Sequence, residues 1–313
     1  MLPIFVALCL LSAPAYAFWI WTPKTGRWIN PKDSVKPTPK EQLRYAMDFY
    51  ELGQYKEAMQ EFKALLKYYP KSYEASEAQY YIGLTYEGTH ELYEAFRAYQ
   101  RVIDKYPFST RVDEIIEREV KIGEAFLAGE KRKALGVYLP LENPAIEIFR
   151  RVVDNSKYGK NAARAQYLLA MALKSEGRFQ EARDEFDKCV TTYPESEWPA
   201  QAQLQAADSA NKMAPKADYD QELTKEAKSK LEEIIQSGTD EKLTTEAKRQ
   251  MVNLNEKEAE SNLGIAEFYQ RQKKFDAAKI YYQDIVDSCP NCSSAIKARE
   301  KLKELEKNTD AQK

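Results

Sequence analysis

The chain has 313 residues, 47 of them basic and 49 acidic, for a formal net charge of −2. With no basic excess to displace phosphate counterions, nucleic acid is set aside as a main partner. At 43% hydrophobic residues and only 11 glycines, the chain is too apolar to stay disordered and suits helices. One histidine, His90, leaves little for general acid–base or zinc chemistry, and no phosphate-loop, dinucleotide, nucleophile-elbow or zinc-protease motif occurs. Neither catalysis nor a cofactor is expected.

Residues 1–17 read MLPIFVALCLLSAPAYA, an apolar run followed by a small-x-small pattern at Ala15-Tyr16-Ala17. The run is too short to span a bilayer and reads as a signal peptide cut after Ala17. No Lys or Arg precedes it, which leaves a displaced start open. Cys9 follows the bulky Leu8 and reads as an ordinary member of the run, not as a lipid-anchoring cysteine. Residues 18–39 then carry Phe18, Trp19, Trp21 and Trp28 among Pro and Lys. The prolines bar a helix, and Trp beside cations suits a membrane interface or a docking pocket on another protein. The same aromatics would also serve as a cap on the first repeat's open end.

From residue 40 to 305 a pattern recurs: an aromatic or apolar residue, Ala three later, an aromatic seven later, and Pro fifteen later. Tyr55, Ala58, Phe62 and Pro70 fit, as do Leu92, Ala95, Tyr99 and Pro107. So do Phe179, Ala182, Phe186 and Pro194, and then Phe275, Ala278, Tyr282 and Pro290. Two weaker copies, without the Pro, hold Ala145 with Phe149 and Ala227 with Leu231. Offsets of three, four and seven lie on one helix face, and Pro ends the helix. Twelve residues before the alanines stand other small residues, Ala46, Gly83, Ala170 and Ala266, on a preceding helix. The third copy is interrupted by an insertion at residues 129–140, and the fifth has QSGTDEK in place of its Tyr-Pro turn.

This pattern resembles the tetratricopeptide repeat. The resemblance implies an all-α helical-repeat solenoid of about six helix pairs, whose stacking buries faces that a single repeat cannot. The tail, residues 306–313, is expected to be disordered.

Within such a stack, projecting the first-helix register places Leu43, Met47, Tyr50, Tyr80, Leu84, Val120, Leu127, Tyr167, Met171 and Lys174 on an inner groove. An apolar stripe there would accept a peptide from a partner. An exposed stripe and a core stripe look alike in sequence, so core packing stays open for these residues. Cys289 and Cys292 form a C-x-x-C at an inter-repeat turn and are a candidate disulfide, with free thiols the other state. No second cysteine pair or histidine joins them, so no metal is expected. Cys189 reads as a small core residue. Lys131-Arg132-Lys133 and Arg150-Arg151 form a basic patch, which is ordinarily a solvated face but could also meet an acidic partner domain.

The whole layout resembles the BamD-like family of outer-membrane protein assembly factors. Three stretches carry the likeness: QLRYAMDFYELGQYKEAMQEFKALLKYYPKS, the position of the insertion in the third copy, and EAKRQMVNLNEKEAESNLGIAEFYQRQKKFDAAKIYYQDIVDSCP. The resemblance implies a periplasmic scaffold at the inner face of the outer membrane. Its partners would be the periplasmic domains of the barrel-inserting protein and unfolded outer-membrane proteins, with a peripheral membrane contact. Two features depart from the family: the anchoring cysteine is missing, and there are six units rather than five. Periplasmic tetratricopeptide adaptors of envelope-division or peptidoglycan-linked machinery share the repeat and the signal and are the alternative.

Overall fold

The structure is a computed structural model that describes residues 20–22, 27–29, 35–131, 133–134, 137–138, 143–213, 221–238 and 240–310. By its contacts the chain divides into two compact units, Met1–Val112 and Asp113–Lys313. The first unit holds a short antiparallel hairpin, β1 (Ile20–Thr22) and β2 (Arg27–Ile29), in which Trp21 pairs with Trp28. Two helix pairs follow: α1 (Pro39–Glu51) with α2 (Tyr55–Tyr68), and α3 (Tyr73–Gly88) with α4 (Leu92–Lys105).

Helix α5 (Val112–Leu127) lies in the second unit but for its first residue. In the insertion lie two strands, β3 (Lys133–Ala134) and β4 (Val137–Tyr138), paired antiparallel. Then come α6 (Pro144–Asn155), α7 (Ala162–Ser175), α8 (Phe179–Thr192), α9 (Pro199–Met213) and α10 (Gln221–Ser237). The 31-residue α11 (Glu241–Arg271), α12 (Phe275–Ser288) and α13 (Ser293–Asp310) complete it. Each helix packs on its neighbour in sequence from α6 to α13. The all-α repeat class expected from the spacing is the observed one.

The repeat pattern marks the core. Ala58, Ala95, Ala145, Ala182, Ala227 and Ala278 are buried, and so are Phe62, Tyr99, Phe149, Phe186, Leu231 and Tyr282. The rings occupy space that the small residues leave free. A Cβ built on Gly83 would lie 2.2 Å from the Tyr99 ring, and one on Gly123 would lie 2.6 Å from the Phe149 ring.

Helix ends follow the punctuation. Helices α2, α4, α8 and α12 stop one residue before Pro minus one, and Tyr69, Tyr106, Tyr193 and Cys289 form their C-caps. These residues leave the α region because a following proline crowds it. Five residues before the second-helix alanine the backbone turns left-handed, at Gly53 (φ 73°), His90 (φ 58°), Gly177 (φ 75°) and Lys273 (φ 57°). His90 therefore holds a turn position that glycine fills in two other copies.

A polar contact that the sequence pattern does not announce recurs with the same spacing. The side-chain amide of Gln42 donates to the Glu61 carbonyl (3.1 Å), that of Gln79 to the Ala98 carbonyl (3.1 Å), and that of Gln166 to the Glu185 carbonyl (3.2 Å). All three glutamines are buried, and the bonds satisfy what would otherwise be costly orphan groups.

The expectation of a disordered tail over residues 306–313 is corrected for residues 306–310, where α13 continues to Asp310; residues 311–313 lie outside the described residues. Its Glu- and Lys-rich end favours helix, and buried Leu305 pins it to the core formed with α11 and α12.

Gly83→Ala should destabilise the protein by ~1–3 kcal/mol, because the enclosed Tyr99 ring has nowhere to go. Gly264→Ala meets nothing within 4 Å and should instead stabilise by up to ~1 kcal/mol. Urea denaturation followed by far-ultraviolet circular dichroism reads both.

Candidate partner-binding site

In the first unit, Leu43, Met47 and Tyr50 are half-buried along α1 against a cluster containing Ala46, Phe62 and Ala78. Tyr50 is drawn into an aromatic network, 5.7 Å from the Tyr55 ring and 5.3 Å from the Tyr81 ring, and Tyr81 stacks on Phe62 at 5.5 Å. Leu84 is half-buried on α3.

Two expected groove residues prove to be core. Tyr80 is 2% exposed and Val120 is 1% exposed. Tyr80 is enclosed by Tyr81 and Tyr99, with the Arg111 guanidinium 5.0 Å from its ring centre. Arg111 is held there by Glu77 at 3.0 Å. The physical reason is that α3 and α5 each bury more than one face, so the stripe projected from a single register includes interior positions.

In the second unit, Leu127, Tyr167 and Met171 are half-buried. Tyr167 sits 5.5 Å from Phe186 and 4.9 Å from Trp198, and burial raises its phenol above the usual tyrosine range. Lys174 is not free to meet a peptide. Its ammonium lies 2.5 Å from Asp208 and also donates to Gln205. Lys212 reaches the same carboxylate at 2.9 Å. Burial alone would raise the Asp208 carboxyl, but bonding to Lys174 and Lys212 outweighs it and holds the group below the ordinary carboxylate range. Trp198, Gln205 and Asp208 escaped sequence reasoning because they belong to the next repeat, whose signature is weak.

Of the amino-terminal aromatics, Phe18 and Trp19 lie outside the described residues. Trp21 is 47% exposed, and the Trp28 backbone pairs with it across the hairpin. Two exposed aromatics went unremarked in sequence: Phe108, 94% exposed in the turn after α4, and Tyr158, 87% exposed in the turn after α6. Both lie just past a helix end, where no helical period reaches.

Lys131, Arg150 and Arg151 are exposed, whereas the Arg132 and Lys133 side chains lie outside the described residues. Arg150 lines a cleft of ≈ 480 Å³ with Asp154, Lys157, Glu185 and Lys188. Both charge signs face it, so it is no simple anion site. Cys189 is buried, its thiol donating to the Ala163 carbonyl at 3.6 Å and pushed up to about 11 by burial. Cys289 and Cys292 are free thiols, and burial, with help from Cys292, pushes Cys289 up to about 11. Glu256 of α11 lies beside them. His90 is exposed in its turn. No helix of the described residues is long and apolar enough to cross a membrane.

Residues 145–312, more than half of the chain, match the YfiO family, described as an outer membrane lipoprotein. The chain belongs to that family. Residues 43–110 match a tetratricopeptide repeat family. Together the two matches cover both units and support a scaffold of the kind that binds other proteins. Solved structures similar to the chain are tetratricopeptide repeat proteins. The C-terminal part of one from Cytophaga hutchinsonii is 19% identical, with a TM-score of 0.37, over 83% of this chain and 87% of that one. YrrB, described as having an unusual peptide-binding site, is 18% identical with a TM-score of 0.37, over 70% and 94%. One from Parabacteroides merdae is 12% identical with a TM-score of 0.36, over 86% and 98%. No curated protein matches the chain.

Asp208→Asn should lower stability by ~1–2 kcal/mol at pH 7, since it removes the counter-charge of two lysines. The folded carboxyl titrates below its unfolded value. The wild-type advantage is therefore complete at neutral pH and fades as pH falls through the folded value. Urea midpoints of the two proteins should converge in acid; a gap that persists there undiminished would rule out the ion pair as its source.

Proposed function

We propose that the chain is a periplasmic scaffold of the outer-membrane β-barrel assembly machinery, exported by residues 1–17 and working at the inner face of the outer membrane. The observation that carries this reading is the match of residues 145–312 to an outer membrane lipoprotein family, on a chain whose helices stack as repeats. Its partners are the periplasmic domains of the barrel-inserting protein and unfolded outer-membrane proteins. The chain catalyses nothing itself; its work is to hold other polypeptides.

The binding faces are the half-buried stripes of each unit: Leu43, Met47, Tyr50 and Leu84 in the first, and Leu127, Tyr167 and Met171 in the second. Their apolar edges are still reachable, which suits capture of an extended or helical segment. Full-length tagged protein mixed with detergent-solubilised envelope should retain the barrel-inserting protein. Leu84→Glu combined with Met171→Glu should cut that recovery by ~10-fold or more while the helical spectrum is unchanged. Recovery of division or peptidoglycan-linked proteins in its place would reject the assembly role.

Phe18, Trp19, Trp21 and Trp28 form a second contact, which docks the mature amino terminus on the membrane or a partner. The exposed Trp21 supports it. Deleting residues 18–30 should move the protein from the membrane fraction to the soluble periplasmic one. An unchanged distribution together with unchanged partner recovery would remove the docking role.

A further inference from the structure

The C-x-x-C turn is not alone in space. Cys289 caps the end of α12, and Cys292 immediately precedes α13. Glu256, on the long α11, brings a carboxylate to the same place. The two sulfurs and one carboxylate oxygen all lie within 4.8 Å of one another. The carboxylate is also held in position. The Ser293 backbone N–H donates to both of its oxygens at 3.1 and 3.2 Å, and the Ser293 hydroxyl donates to one at 2.5 Å. Cys292 is buried, while Cys289 and Glu256 are half-buried, so the cluster is sheltered on one side and open on the other.

We propose that Cys289, Cys292 and Glu256 form a binding site for a borderline-soft divalent cation, zinc in particular. The donor set decides the class. Two sulfurs disfavour calcium and magnesium, and a mixed sulfur and carboxylate set is one that zinc accepts. In a tetrahedral site with Zn–S bonds of ~2.3 Å, neighbouring ligands stand under ~4 Å apart, so side-chain torsions alone bring these three atoms to bonding distance. Three protein ligands leave the fourth position to water. On binding, each thiol gives its proton to solvent as its sulfur–metal bond forms; the carboxylate enters already ionised. Two thiolates and one carboxylate against a dication leave one net negative charge, placed at the N-terminal end of α13, where helix amides favour it. Ser293 takes the outer role of orienting the carboxylate. The metal would tie α11, the end of α12 and the start of α13 together. This is independent of which partner the repeats bind. It also revises the expectation of no metal, since that expectation could weigh only residues close in sequence, and Glu256 is 37 positions from Ser293.

The test uses the full-length chain, reduced with a phosphine and freed of metal. Zinc titrated in competition with a chromophoric chelator should bind one per chain and raise the melting temperature. Cadmium should give a thiolate charge-transfer band of two-sulfur intensity. Cys289→Ser and Cys292→Ser should lose the band, and Glu256→Gln should weaken zinc by more than ~10-fold, the scale on which even outer partners act. Cys189→Ser should bind as wild type. Wild-type protein that takes up no metal, or Glu256→Gln that binds as tightly as wild type, would overturn the site. If Cys292→Ser proves misfolded by circular dichroism, the exposed-side variants Glu256→Gln and Cys289→Ser still decide it.

Discussion

The structure depends on a missing side chain. Where paired helices cross, one offers only a hydrogen or a methyl, and a ring from the other fills the space. Gly83 facing Tyr99 and Gly123 facing Phe149 are the tightest cases, since no Cβ fits at either glycine. Ala46, Ala170 and Ala266 occupy the matching position elsewhere, and all are buried. The close crossing brings backbones near enough for the buried glutamines to reach a carbonyl on the partner helix. Apolar fit and polar satisfaction therefore depend on the same short distance.

Turn chemistry repeats with equal economy. A proline stops the second helix, and the residue before it closes the last carbonyl of the turn, as Tyr69 does to Leu65 at 2.8 Å and Tyr106 does to Val102 at 2.8 Å. Two of these tyrosines also reach backwards with their hydroxyls. Tyr69 donates to the Lys36 carbonyl and Tyr193 to the Lys157 carbonyl. The phenol ties each turn to the chain segment before the preceding helix pair, at a place where a phenylalanine would leave that carbonyl to water.

Most of the fold was legible because its determinants are local and periodic. Ala58, Phe62 and Pro70 stand at offsets that a helix and its terminator require, and the structure buries the first two and turns at the third. What was not legible has one of two causes. Side-chain partners from separate repeats have no fixed spacing, so the register alone places Lys174 in the groove, whereas Asp208 of the next repeat holds it. Degree of burial is also invisible in a period. Tyr50 and Tyr80 are both aromatic first-helix residues, yet only Tyr80 is enclosed, because Arg111 and Tyr99 cover it. The tail differs the other way: a chain end is expected to fray, and buried Leu305 holds the helix on to Asp310.

The helix α11 has a consequence of its own. At 31 residues it runs about 46 Å without a break. Its first half contributes Ala247 and Leu254 to one apolar cluster with α9 and α10, and its second half contributes Ala259, Leu263 and Ala266 to another with α12 and α13. A stack built only of short helices can fray one repeat at a time. Here a single rod belongs to two neighbouring cores, so opening either one strips apolar cover from a helix the other still needs. The carboxy-terminal third of the chain is thereby made to melt, or to hold under load, as one piece.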